Sequence, residues 1–275
     1  MRRRTGRQLG AVLAASVLTV SLAACTTGGT AAGTATAPPT TDDAAGAPTT
    51  AAPLTGELVV LAAASLQNTF EELGERLEEQ NPGLSVTFSF AASSTLAQQA
   101  AAGAPADVLA TASTSTMQDA AEVTGEASVF AHNSLVVVAP AGNPGDVTGL
   151  ADLADPTRTV ALCALEVPCG AAAQKAFDAA GLTPAPDTYE ADVTATLTKV
   201  VLGEVDGALV YLTDARSAGD AVETFPFPES AQARNDYPIA TLTAARNPAA
   251  ARAFVDLVLS AEGQAVLVDA GFDGA

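Results

Sequence analysis

Tryptophan is absent, histidine occurs once and cysteine three times in 275 residues. With His132 alone, no histidine cluster can bind a transition metal, and no imidazole stands in a triad-like context beside a serine. No G-x-S-x-G elbow occurs either, which counts against a secreted serine hydrolase. The cysteines form neither a CxxC pair nor a Cys/His spacing, so zinc-ribbon and dithiol-exchange motifs are excluded. Aromatic residues make up only 4% of the chain, too few for an adhesive aromatic surface. Basic residues are also scarce, 12 against 31 acids. A nucleic-acid role needs a basic face, and this composition does not provide one. The apolar run Leu9 to Val20 is too short for an ordinary membrane span.

That run has another reading. Arg2, Arg3, Arg4 and Arg7 precede it, and Leu22-Ala23-Ala24-Cys25 follows it. The arrangement resembles a bacterial lipoprotein signal, with residues 1–24 removed and Cys25 lipidated. Loss of the four arginines takes the net charge from -19 to -23. Residues 25–54 are mostly Thr, Ala, Gly, Pro and Asp, without periodicity, and read as a disordered tether. The folded part is then 55–275, enough for one large or two modest α/β domains. Outside the cytoplasm, Cys163 and Cys169 are expected to pair as a disulfide.

From residue 57 onward, strands alternate with helices, which predicts parallel or mixed sheets covered by helices. Leu58 to Ala62 reads as a strand buried on both faces, and a helix with Leu66, Phe70, Leu73 and Leu77 on one side follows Ser65. Ser65 is placed to cap that helix, and Ser93 or Ser94 the next one. Asn133 to Pro140 is the strongest strand pattern. Val193, Leu197, Val200 and Val201 are the expected inner face of a helix capped near Asp192. Three strand-to-helix turns, at Ser65, at Ser93 and at Pro168-Cys169-Gly170, carry no basic residue. Helix N-termini expose free N–H groups, so an anion held there would be bound by hydroxyls and backbone amides.

Ala-Ala-Ala-Ser-Leu at 62–66, Ser-Ser-Thr-Leu-Ala at 93–97, Gly-Ala-Pro-Ala-Asp-Val at 103–108 and Asn-Ser-Leu-Val-Val-Val-Ala-Pro at 133–140 resemble the periplasmic molybdate-binding proteins of ABC transporters. Val-Pro-Cys-Gly at 167–170, Ala-Asp-Val-Thr at 191–194 and Leu-Val-Tyr-Leu-Thr-Asp-Ala at 209–215 continue the resemblance in order. It implies a two-lobed α/β fold, the type II periplasmic binding protein, with the ligand in a cleft between lobes. Lobe 1 would be 55–133 plus 237–275, and lobe 2 would be 134–236. The implied oxyanion donors are Ser65 and Ser93 from lobe 1, and the N–H groups of Cys169 and Val193 and the Tyr211 hydroxyl from lobe 2. Two positions depart from the pattern. Ala92 stands where another serine is frequent, and Cys169 where alanine is common.

The resemblance further implies an extracytoplasmic monomer, anchored by lipid to the outer face of the membrane, that delivers its ligand to an ABC permease and its ATPase. It implies no enzyme activity, no cofactor and no bound metal cation; molybdenum or tungsten would arrive as molybdate or tungstate. Both are dianions with four acceptor oxygens and no proton, which suits a site made only of donors. Another tetrahedral oxyanion, sulfate first, is the alternative ligand. Tyr211→Phe is expected to weaken binding while leaving the unliganded fold nearly unchanged.

Overall fold

The computed structural model describes residues 53–274. The expected signal peptide, the lipidation site Cys25 and nearly all of the tether lie outside the described residues. In chain order the elements are β1 (Thr55–Ala63), α1 (Gln67–Gln80), β2 (Gly83–Ala91), α2 (Ser93–Ala101), β3 (Val108–Ala110), α3 (Thr114–Asp119) and β4 (Ser128–Asn133). Next come β5 (Leu135–Pro140), β6 (Val160–Cys163), α4 (Pro168–Ala180), β7 (Thr188–Glu190), α5 (Val193–Val201), β8 (Gly207–Tyr211) and α6 (Leu212–Ala218). The chain closes with β9 (Val222–Phe225), β10 (Asn235–Thr241), α7 (Pro248–Leu259), α8 (Ala261–Ala270) and β11 (Asp273–Gly274).

The strands form two mixed sheets, as the alternation of elements requires. One has the order β11-β4-β10-β3-β1-β2 and the other β7-β6-β8-β5-β9. The two share a plan. In the first, β2, β1 and β3 run parallel and β10 joins antiparallel. In the second, β7, β6 and β8 run parallel and β5 joins antiparallel. Each sheet therefore has three strand ends pointing the same way, with helices following them.

Side chains sort by the period of two that a pleated strand imposes. On β1, Leu58, Val60 and Ala62 face a core that includes Phe70 of α1 and Phe254 of α7, while Leu61 faces Leu96 of α2 and Met117 of α3. The first core is the aromatic one: Phe70 meets Phe254 edge-on at 5.3 Å between ring centroids, a favoured geometry. The second sheet has a single large core with α4 and α5, built around Val137, Leu209, Phe177 and Val200.

Two sequence expectations fail here for tertiary reasons. Asn133 to Pro140 is not one strand. It is the end of β4 and all of β5, broken at Ser134, where the chain leaves one sheet and enters the other. Of this stretch, the apolar run Leu135 to Pro140 belongs wholly to β5, and only the buried, polar Asn133 belongs to β4. On α5, Val193 and Val200 are buried, but Val201 is 46% exposed. The inner stripe is narrower than the valine count suggests, and buried Thr196 fills part of it.

Candidate functional site

The six parallel strands converge on one place. A small cavity is lined by Ala63, Ala64 and Ser65 at the end of β1, by Ala91, Ala92 and Ser93 at the end of β2, and by Ala112 after β3. Val167, Pro168 and Cys169 at the start of α4, Asp192 and Val193 after β7, and Tyr211 at the end of β8 complete it. Ligand sites in such sheets lie outside the carboxyl ends of the strands, and here two sets of strand ends face each other. All five expected donors, Ser65, Ser93, Cys169, Val193 and Tyr211, line this cavity. It is tight: about 20 Å³ is open to the centre of a water-sized sphere.

Helix starts supply the polarity. Ser93 and Val193 are the first residues of α2 and α5, and Cys169 is the second of α4. The first N–H groups of a helix have no acceptor within it and carry a partial positive charge. Ser65 belongs to a 3-10 turn, Ala64–Leu66, that leads into α1. Neither Ser65 nor Ser93 caps a helix by its side chain, contrary to expectation: the residues at the capping positions are Leu66 and Ala92. The hydroxyls are thereby released for other partners. Asp192 does cap α5, accepting from Ala195 N at 2.8 Å, so the one carboxylate in the lining is engaged with its own helix. No basic side chain lines the cavity.

The loop before α4 folds back on the helix. Cys163 and Cys169 are joined by a disulfide, with their Cα atoms 5.8 Å apart. A Cβ on Gly170 would collide with the Ala164 carbonyl, so only glycine permits this approach. Pro168 opens the helix, where its missing N–H costs nothing. The loop is thus fixed at both ends around Cys169, which lines the cavity.

Behind the hydroxyls lies a buried polar network that crosses between the sheets. Ser93 Oγ accepts from Ala112 N at 2.9 Å. Ser65 Oγ and Tyr237 OH are 2.9 Å apart. Asn235 Nδ2 donates to Tyr211 OH at 2.8 Å and to the Ala112 carbonyl at 2.7 Å. Asn133 Nδ2 donates to Thr213 Oγ1 at 2.8 Å. Asn133 and Asn235 are directly opposite each other in the pairing of β4 with β10. Burial, followed by the neighbouring Tyr237 and Asp214, raises the Tyr211 phenol well above the ordinary tyrosine range. Tyr237 is raised as well, chiefly by burial. Both hydroxyls stay protonated and able to donate.

Tyr211 therefore does more than face the cavity. It is 1% exposed, and its oxygen satisfies Asn235. The expectation that Tyr211→Phe leaves the unliganded fold unchanged is corrected: the change strips a buried amide proton of its acceptor, at about 1–3 kcal/mol. Asp214, which the 209–215 motif contains without a role, adjoins this network. It accepts from Tyr211 N at 3.1 Å, closing the first turn of α6, and burial pushes its pKa up to about 7. Nearby Asp192 adds to that rise, and the Tyr211 hydrogen bond opposes it. His132 lies on β4, its Nδ1 2.6 Å from Asp236 Oδ1, and does not line the cavity. Sequence patterns could not reveal Asn133, Asn235 or Tyr237 as partners of the site, because their roles depend on strand register.

A second, larger groove of about 450 Å³ shares Ala64 and Ser65 with the cavity. It is lined by Asn68, Asp214, Arg216 and Asp269 among others, and Asn68 Nδ2 donates across it to Ser217 Oγ at 2.6 Å. Its lining includes the carboxylates Asp214 and Asp269, which oppose an anion, so the small cavity is the better oxyanion site. Among the described residues no cluster of His, Cys, Asp and Glu could hold a metal cation, and no helix is long and apolar enough to cross a membrane.

Known proteins place this geometry. The molybdate-binding protein ModA of Mycobacterium tuberculosis is 44% identical over 218 residues, covering 78% of this chain and 84% of that protein. Among solved structures, the periplasmic molybdate-binding protein of Azotobacter vinelandii superposes with a TM-score of 0.65 at 19% identity, covering 78% of this chain and 98% of that one. The sulfate-binding protein SubI of Mycobacterium tuberculosis gives 0.68 at 18% identity, covering 80% and 87%. At those identities the two structures establish the shared fold and do not select an anion. Residues 58–273 match the family model described as bacterial extracellular solute-binding protein, and the chain belongs to that family.

Proposed function

We propose that this protein captures molybdate, and tungstate equally by charge and shape, outside the cytoplasm and delivers it to an ABC import permease with its ATPase. It is a carrier and performs no reaction. The observation that carries the reading is the convergence of helix starts from both sheets, with the hydroxyls of Ser65, Ser93 and Tyr211, on a cavity without a basic side chain. Hydroxyls and backbone N–H groups satisfy a fully deprotonated oxyanion, whereas monohydrogen phosphate brings a proton for which the lining offers one carboxylate, Asp192, already engaged in capping α5. The identity to a molybdate-binding relative supports molybdate over the other tetrahedral dianions.

In this reading Ser65 and Ser93 act from a first lobe, residues 55–133 plus 237–275, and Cys169, Val193 and Tyr211 from a second, residues 134–236. Neither half surrounds the anion alone, so ligand stabilises the closed arrangement through contacts to both. Lipid on Cys25 holds the protein at the membrane, and residues 26–54 let the domain reach its permease as a monomer. Calorimetric titration with molybdate, tungstate, sulfate and phosphate tests the function. Tight binding of the first two and far weaker binding of the others is expected. Sulfate bound as tightly as molybdate would refute the assigned specificity.

A further inference from the structure

We propose that Asn235 is a positioning residue that makes the Tyr211 hydroxyl an obligate donor toward the ligand, and so helps the site reject oxyanions that carry a proton. The inference rests on the reading of the cavity as an oxyanion site and concerns how that site selects.

The orientation of the Asn235 amide follows from chemistry. It faces the Ala112 carbonyl at 2.7 Å, and a carbonyl can only accept, so the group facing it is the NH2. The second proton of the same nitrogen reaches Tyr211 OH at 2.8 Å. Turning the amide over would set two oxygens against each other inside the protein, since Asn235 is only 6% exposed. The carbonyl of Ala112 therefore locks the direction of the bond to Tyr211.

With its oxygen accepting from Asn235, Tyr211 has one proton left. Two groups lie within its reach, the hydroxyl of Tyr237 and whatever occupies the cavity. A charged oxyanion is the stronger acceptor of the two. The same device operates on the other side of the cavity. There the N–H of Ala112 occupies Ser93 Oγ at 2.9 Å and leaves the Ser93 proton for the ligand. One residue, Ala112, thus directs a hydroxyl of each sheet by its two backbone groups, and Asn235 carries that control across to Tyr211. A ligand proton meets hydroxyl oxygens that each already accept one hydrogen bond, which makes them poorer acceptors for it and disfavours a monohydrogen oxyanion.

A double-mutant cycle separates this role from a structural one. Wild type, Asn235→Ala, Tyr211→Phe and the double variant are titrated with molybdate and with inorganic phosphate at neutral pH. Each single change should weaken molybdate binding by about tenfold to a hundredfold. The double variant should lie within about threefold of the weaker single, because both remove the same interaction. Asn235→Ala should also narrow the preference for molybdate over phosphate by about tenfold, since the Tyr211 oxygen is freed to accept. Additive losses, or an unchanged preference, would show that Asn235 serves only the fold, and the functional reading would stand. Failure of wild type to bind molybdate would overturn that reading itself. If Asn235→Ala does not fold, Asn235→Ser carries the same cycle with a smaller cavity.

Discussion

Asp214 gives the protein a pH-dependent stability that one substitution should remove. Its carboxyl is buried at the start of α6 and accepts from Tyr211 N. Burial is the largest influence and favours the neutral form, and the negative Asp192 acts in the same direction. The pKa rises from 3.8 to about 7. A carboxyl with a raised folded pKa binds its proton more firmly in the native state than in the unfolded chain. Its contribution is therefore most favourable below pH 4 and is lost as pH rises to about 7. Across that window the loss is on the order of 4 kcal/mol, from about 3 pKa units at 1.36 kcal/mol each. Asp214→Asn keeps an acceptor for Tyr211 N and has no charge to bury. Urea unfolding of both proteins at several pH values between 4 and 8 isolates the group, because the other carboxylates cancel in the difference. The variant should gain on wild type steadily as pH rises toward 7, and the gap should then level off. A gap independent of pH would refute the argument, and a gap that widened toward acid would reverse its sign.

Three further outcomes are expected. Tyr211→Phe should weaken molybdate binding tenfold or more and also lower the stability of the unliganded protein by about 1–3 kcal/mol, the cost of an unpaired amide proton on Asn235; calorimetry and thermal melts check the two separately, and unchanged affinity would make Tyr211 a core residue only. Gly170→Ala should push the Cys163–Cys169 loop away from α4 and weaken molybdate binding, because its Cβ has no room against the Ala164 carbonyl; wild-type affinity would show that the loop does not position the Cys169 N–H. Cys25→Ser should release the protein from membranes on cell fractionation, and equal membrane retention would rule out the lipid anchor.

The sequence alone determined the alternation of strand and helix, because buried parallel strands need unbroken apolar runs such as Leu58 to Ala62, and amphipathic helices need the spacing of Phe70, Leu73 and Leu77. It also determined the kind of site. Strand-to-helix turns with serine and glycine, and no arginine or lysine, can hold an anion only by hydroxyls and amides. The motif order at 62–66, 93–97, 167–170, 191–194 and 209–215 brought all five lining donors to notice. What the sequence could not decide depends on which strands lie side by side. Asn133 to Pro140 reads as one strand by its pattern, although the resemblance sets the lobe boundary between 133 and 134; the fold breaks the strand there, at Ser134. Ser65 and Ser93 have the composition of helix caps, yet their oxygens meet Tyr237 and Ala112, residues distant in the chain. Asn235 carries no motif. Its pairing opposite Asn133, and its hold on Tyr211, arise because register and sheet order bring four separate segments to one point, and a hydrogen bond's direction is set by every partner around it at once.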